Sequence, residues 1–176
     1  MQQKIELVKS DKSNFIEISK AKKYLRINHE YDDELISEML ETAYVAAENY
    51  IGVKLKKAIW KLTIYGGLPD KIRLVHAPIN RVESFKICKN NNEELYITND
   101  HYLLDNNATH IYMRRSYIIK KAEISYSVGF EVQGLPMPIR QGILEHLAKL
   151  YDLRGSDQEL PLAAKSLYQA YKKVRM

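Results

Sequence analysis

The sequence is short of cysteine: Cys88 stands alone in 176 residues. A single thiol closes no intramolecular disulfide, which fits a reducing compartment or a particle assembled in one. Long apolar runs are missing as well. No stretch approaches the ~20 apolar residues that span a bilayer, and the opening MQQKIELVKSDKSNF has no signal-peptide apolar core. There is no GxxxxGKS/T phosphate loop, no GxGxxG, no HExxH and no GxSxG; the 7 glycines are scattered among turns and helix ends. These absences point away from an enzyme and from any cofactor. Repeats and low-complexity tracts are absent too, which excludes solenoid and linker-like architectures. Phe (3) and Trp (1) are few against 13 Tyr. Tyrosine suits surfaces that are half apolar and half wet, protein interfaces among them.

What is present is ordinary in bulk and uneven in distribution. Hydrophobic residues make up 45% of the chain, enough for a packed core of one domain or of a core with one sizeable insertion. The net charge of +5 is compatible with nearby DNA without marking a dedicated nucleic-acid binder. Lys20, Lys22, Lys23 and Arg26 come with no acid among them, and Glu30, Asp32, Asp33, Glu34, Glu38, Glu41 and Glu48 follow with no base. Lys54, Lys56, Lys57 and Lys61 come next, and Lys165, Lys172, Lys173 and Arg175 close the chain.

Residues 1–15 are polar and aperiodic and read as a flexible N-terminal arm. Ser19 is placed as an N-cap, and Ala21, Tyr24 and Leu25 predict a short helix ending near Ile27–Asn28, with Asn28 as the stop. A longer helix is predicted from about Asp32 to Ile51, with Leu35, Ile36, Met39, Leu40, Ala43, Ala47, Tyr50 and Ile51 on one stripe and Gly52 at its C-terminal cap. Two consecutive helix ends explain much of the sign change. Cations suit the end of the first helix, and Asp32, Asp33 and Glu34 suit the start of the second.

From Ala58 the period shortens to two. AIWKLTIY, KIRLV, RVESFKI, ELYIT, HYLLD, HIYMR and AEISYSV are strand-like runs separated by turn signals at Gly66-Gly67, Pro69-Asp70, Pro78, Asn90–Asn92, Asn99-Asp100 and Asn106-Asn107. They predict a small antiparallel β module over about 58–130. Helices return with Pro138 at a first helical position and Ile139, Ile143, Leu144, Leu147, Leu150 and Tyr151 on one stripe, stopped by Gly155. A last helix is predicted over roughly 160–173, with Pro161 at its start. The expected fold is α+β: a helical core of two N-terminal and two C-terminal helices with an inserted antiparallel β module, forming one domain over 16–176.

Three stretches invite a chemical reading. HEYDDE could bring His29 to Asp32 or Asp33 around a divalent ion, but it lacks a second ligand set at helical spacing, and a helix cap accounts for it. Cys88 lies in a β run with no His or cation placed to activate it, as expected of a buried structural thiol. His76, His101, His110 and His146 fall in four different elements, and His146 reads as a surface residue on a helix flank. YMRRSYIIKK, within 112–121, interleaves four cations with tyrosines, a pattern that can bind nucleic acid. It reads first as a hairpin with a polar face, and a nucleic-acid-binding module built on it is the alternative function.

The order of these features resembles the head–tail connector proteins of tailed bacteriophages, also called adaptor or head-completion proteins, which occur in prophages and gene transfer agents too. ISKAKKYLRINHEYDDELISEMLETAYVAAENYIGVKL is similar to the family's opening, a short helix ending in Leu-Arg-Ile, an acidic turn, and a long helix ending in a Tyr/Phe–Ile/Thr–Gly step. AIWKLTIYGGLPDKIRLVHAPINRVESFKI, AEISYSVGF and LPMPIRQGILEHLAKLYDLRG are similar to its later segments, so the likeness runs from residue 16 to about 174. Gly142 departs from it, standing where the family often has alanine, at about 1 kcal/mol in a helix interior.

The resemblance implies a structural protein that assembles as a ring, commonly dodecameric, under the portal. It implies a virion-neck location after assembly in the bacterial cytoplasm, with packaged double-stranded DNA passing through the ring and no membrane contact. The helices would build the ring, and the β module would offer a surface to tail or stopper proteins. Each subunit of a closed head-to-tail ring shows two different faces to its neighbours. Glu34, Glu38, Glu41 and Glu48 are therefore expected to face either the Lys20, Lys22, Lys23 and Arg26 group or the Lys54–Lys61 group of the next subunit. Tyr171, Lys172, Lys173 and Arg175 are the expected portal contact.

Overall fold

The computed structural model describes residues 2–11, 14–76, 79–105, 108–154 and 159–172. Pro78, Asn106, Asn107, Gly155, Lys173 and Arg175, all named above, lie outside the described residues. The fold is α+β, and the chain divides into two compact units, Met1–Lys12 with Lys56–Gly129, and Ser13–Leu55 with Phe130–Met176.

The first unit is built of strands: β1 (Gln2–Ser10), β2 (Ala58–Tyr65), β3 (Lys71–Arg73), β4 (Ile79–Lys89), β5 (Glu94–Tyr96), β6 (Tyr102–Leu104), β7 (His110–Met113) and β8 (Ile119–Val128). Five form an antiparallel sheet in the order β1-β2-β8-β4-β5, and three form a second in the order β3-β7-β6. Each of the seven strand-like runs from 58 to 128 became a strand. The central strand β8 shows why: Ala122, Ile124, Tyr126 and Val128 alternate and are fully buried. Across it, Leu62 and Ile64 of β2 and Phe85 and Ile87 of β4 fill the same core with Ile72, Tyr102 and Ile111 of the smaller sheet. Burying one such side chain contributes about 1.5–3 kcal/mol.

The N-terminal stretch corrects the expectation of a flexible arm over 1–15. Gln2–Ser10 is a strand, paired antiparallel with β2 from Gln2↔Tyr65 to Ser10↔Ala58 with a bulge between Leu7 and Lys9. Its side chains are almost all exposed, on both faces. A strand held by backbone pairing to a sheet edge carries no alternation of burial, so its sequence has no period to read.

The second unit is helical: α1 (Ile18–Leu25), α2 (Asp33–Ile51), α3 (Met137–Asp152) and α4 (Leu162–Tyr168), the last followed by a 3-10 turn over Gln169–Tyr171. Ile36, Leu40, Ala43, Ala47 and Ile51 of α2 form its core with Ile139, Ile143, Leu147 and Leu150 of α3 and Ala164 and Tyr168 of α4. Gly52 caps α2 with φ 81°, as its position predicted. Two other ends differ. Glu17, not Ser19, precedes the first turn of α1, and the Ser19 hydroxyl donates to the Glu17 carboxylate. Arg26, not Asn28, takes the left-handed position that ends α1, with the Ile27 N–H donating to Lys22 O. His146, expected at the surface, is fully buried on the core side of α3.

Gly142 has a packing reason. It is buried in α3, and a Cβ there would lie 2.4 Å from Cε1 and 2.7 Å from Cζ of Tyr168. The aromatic ring of α4 occupies the notch that the missing side chain leaves, so helix propensity gives way to close approach.

Candidate interaction surfaces

The sign change between α1 and α2 is partly neutralised within the chain. Lys22 Nζ lies 2.7 Å from Asp33 Oδ1. Asp32 does not cap α2 with its side chain; its Oδ2 accepts a 2.6 Å hydrogen bond from the Tyr151 hydroxyl on α3, which raises the Tyr151 pKa. His29 Nε2 is 4.0 Å from the same oxygen. HEYDDE is thus the junction where α2 is tied to α1 and α3. Among the described residues no group of three or more His, Cys, Asp or Glu is placed to hold a metal ion.

At the other end of α2, Glu48 is only 12% exposed. Its Oε1 accepts from the Leu55 N–H at 2.8 Å and its Oε2 from Lys54 Nζ at 2.6 Å, folding the chain back after Gly52. Lys22 and Glu48, two of the charges expected at a subunit interface, therefore have partners in their own chain. Lys20, Lys23 and Arg26 on α1 and Glu34, Glu38 and Glu41 on α2 are exposed. Among the described residues, none of Lys20, Lys23, Arg26, Glu34 and Glu38 has an opposite charge within 4 Å. Glu34 and Glu38 are four residues apart on one helix face, where like charges repel.

The C-terminal helix is held through aromatic contacts. Tyr168 sits on Gly142, with its ring 6.1 Å from that of Tyr50. Burial pushes the Tyr168 pKa up, and among the described residues its hydroxyl has no hydrogen-bond partner. The Tyr50 hydroxyl donates to Gln169 Oε1, and Lys172 Nζ lies 4.6 Å from the Tyr50 ring centroid. Of the expected portal-contact residues, Tyr171 is half-buried against the helical core and Lys172 is exposed at its rim.

In the β unit, Cys88 is half-buried on β4 between Glu94 and Lys121, and its thiol donates to Lys89 O. Asp105 accepts hydrogen bonds from the Thr109 hydroxyl and from the backbone N–H groups of Thr109 and His110. Burial works to raise its pKa, but these donors prevail and hold it at about 2. YMRRSYIIKK is not a hairpin. β7 belongs to the smaller sheet and β8 is central to the larger, so the segment is a crossover between sheets. Sequence reasoning looked only at that segment and missed Lys71 and Arg73, which β3 sets beside Tyr112 and His110. Their one signal was alternation: in KIR both cations flank the buried Ile72 and so share a face.

These features define a class: a two-unit α+β chain whose helices carry separated, one-signed exposed charges. Residues 15–140, well over half the chain, match the family described as Phage gp6-like head-tail connector protein. The chain belongs to this head–tail connector family. Solved structures of similar fold include a chain from the neck of an empty gene transfer agent (GTA) particle computed with C6 symmetry. It has a TM-score of 0.77 and 18% identity, covering 98% of this chain and 97% of that one. A chain from the virion of a native gene transfer agent particle gives 0.74 and 18%, with 98% and 96% covered. Another from the neck of the native particle, computed with C12 symmetry, gives 0.74 and 17%, with 98% and 97% covered. At these identities the likeness is one of fold. No curated protein matches the chain significantly.

Proposed function

We propose that the chain is a structural, non-enzymatic connector that assembles as a twelve-membered ring under the portal at the virion neck. The ring extends the DNA channel and gives tail or stopper proteins a surface to dock on. Family membership supports the connector role, and the C12 symmetry given for a similar neck structure supports the stoichiometry.

The observation that carries the ring is the pair of unneutralised faces. Lys20, Lys23 and Arg26 line the exposed part of α1, and Glu34 and Glu38 that of α2. In a head-to-tail ring one such face meets the other at every interface, which sets register and direction more than raw affinity. The α1 cations are the better complement to α2, because Lys54 is already engaged with Glu48. Tyr171, Lys172, Lys173 and Arg175 form the portal contact. Removing residues 172–176, which leaves Tyr168 in its notch, abolishes portal binding in a co-purification assay while the helical unit stays folded. Retained binding refutes this assignment.

A further inference from the structure

The smaller sheet turns Ile72, Ile111 and Tyr102 inward, all buried. Its other face is set by alternation and register. Lys71, Tyr112 and Leu103 form one row across β3, β7 and β6, and Arg73 stands beside His110. Arg114 follows Tyr112 at the same parity, and its N–H donates to His101 O. The loop into β8 adds Arg115 and Ile118, the latter 83% exposed. Leu103 and Tyr112 are exposed too. Among the described residues, none of Lys71, Arg73, Arg114 and Arg115 has a carboxylate within 4 Å. Of the acids on the neighbouring loops, Asp105 is turned onto Thr109 and His110, Asp70 accepts from the Ser116 hydroxyl, and Asp100 is exposed.

The face therefore combines four unneutralised cations with three exposed apolar or aromatic side chains, Leu103, Tyr112 and Ile118. Cations alone would suit any polyanion, but the rest of the face discriminates. Lys71 Nζ lies over the Tyr112 ring, 5.4 Å from its centroid, so the ring's face is not free to stack a base. Leu103 and Ile118 have no use for a phosphate backbone, and they suit a protein partner's aliphatic side chains. We propose that the outer face of the β3-β7-β6 sheet, with the loop over residues 114–118, docks an acidic protein segment that also carries aliphatic side chains. That the segment belongs to another neck component rests on the connector reading; the chemistry of the face does not.

The test uses the full chain and fluorescence anisotropy with three labelled probes: a short peptide alternating glutamate and leucine, its lysine–leucine counterpart, and a DNA duplex. The variants are Lys71→Glu/Arg114→Glu and Leu103→Ser, all at exposed positions, with circular dichroism and ring formation recorded for each. The expected result is binding of the acidic peptide alone, weakened at least about tenfold by the double charge reversal and several-fold by Leu103→Ser, with ring formation unchanged. Peptide binding that ignores the variants, or a duplex bound more tightly than the peptide, overturns the proposal. So does loss of rings in the charge-reversed variant, which places the face between subunits. If the wild-type chain forms no ring even with its portal, the ring reading fails, and the peptide result still decides the docking surface.

Discussion

Reversing Glu38 should move monomer stability and ring stability in opposite directions. Glu38 is exposed on α2, four residues after Glu34 and three before Glu41. It lies beyond the first turn, where the helix dipole no longer favours an acid. In the free chain Glu38→Lys replaces two like-charge neighbours with two attractive ones, a gain of about 0.5–1.5 kcal/mol. In the proposed ring the same change should remove an attraction to Lys20, Lys23 and Arg26 of the next subunit and add a repulsion. That amounts to about 0.5–2 kcal/mol, roughly 2- to 30-fold in each interface constant. Because the interface repeats around the ring, the concentration needed for closure rises steeply. Thermal denaturation of the dilute chain reads the first effect, and mass photometry over a concentration series reads the second. The difference in assembly should shrink at high salt, as expected of exposed charges. Unchanged ring formation, or weaker rings that merely track a lower melting temperature, refutes the electrostatic interface.

Other perturbations test the fold. Gly142→Ala drives a methyl into the Tyr168 ring and should destabilise the chain by about 1–3 kcal/mol in denaturant titrations. In a Tyr168→Ala background the notch is vacated, so the same substitution should stabilise by about 1 kcal/mol through helix propensity alone. Tyr44→Phe deletes the oxygen that accepts from the Ile16 N–H at 2.9 Å. A loss of about 1–2 kcal/mol and faster hydrogen exchange at Ile16 should follow. Asp105 has a folded pKa of about 2, below the ordinary 3.8. Its contribution is therefore full above about pH 4 and is lost as the pH falls through 2. In Asp105→Asn about 1–2 kcal/mol should be missing at pH 7, and the part of the acid transition due to this group should disappear.

The sequence showed elements wherever burial imposed a period. β8 and α2 each bury one face against a core, so Ala122 through Val128 and Ile36 through Ile51 repeat at two and 3.6 residues. β1 buries neither face and left no trace beyond Ile5 and Leu7. Helix ends were less legible because tertiary partners took the capping groups. Asp32 was drawn to Tyr151, Asp33 to Lys22 and Glu48 to the Leu55 amide, none of which is a neighbour along the helix. The same partners decide which charges remain for an interface, and sequence spacing does not show them. Gly142 shows the limit from the other side. Its conflict with helix propensity was plain in the sequence, but the reason sits 26 positions away in Tyr168.

The most direct measurement is a cryo-electron microscopy reconstruction of this chain bound to the portal of its own particle. A twelve-membered ring is predicted, with α1 of each subunit facing α2 of the next and the C-terminal segment on the portal. A chain that stays monomeric beside the portal, or a ring whose interfaces leave Glu34 and Glu38 in solvent, contradicts it.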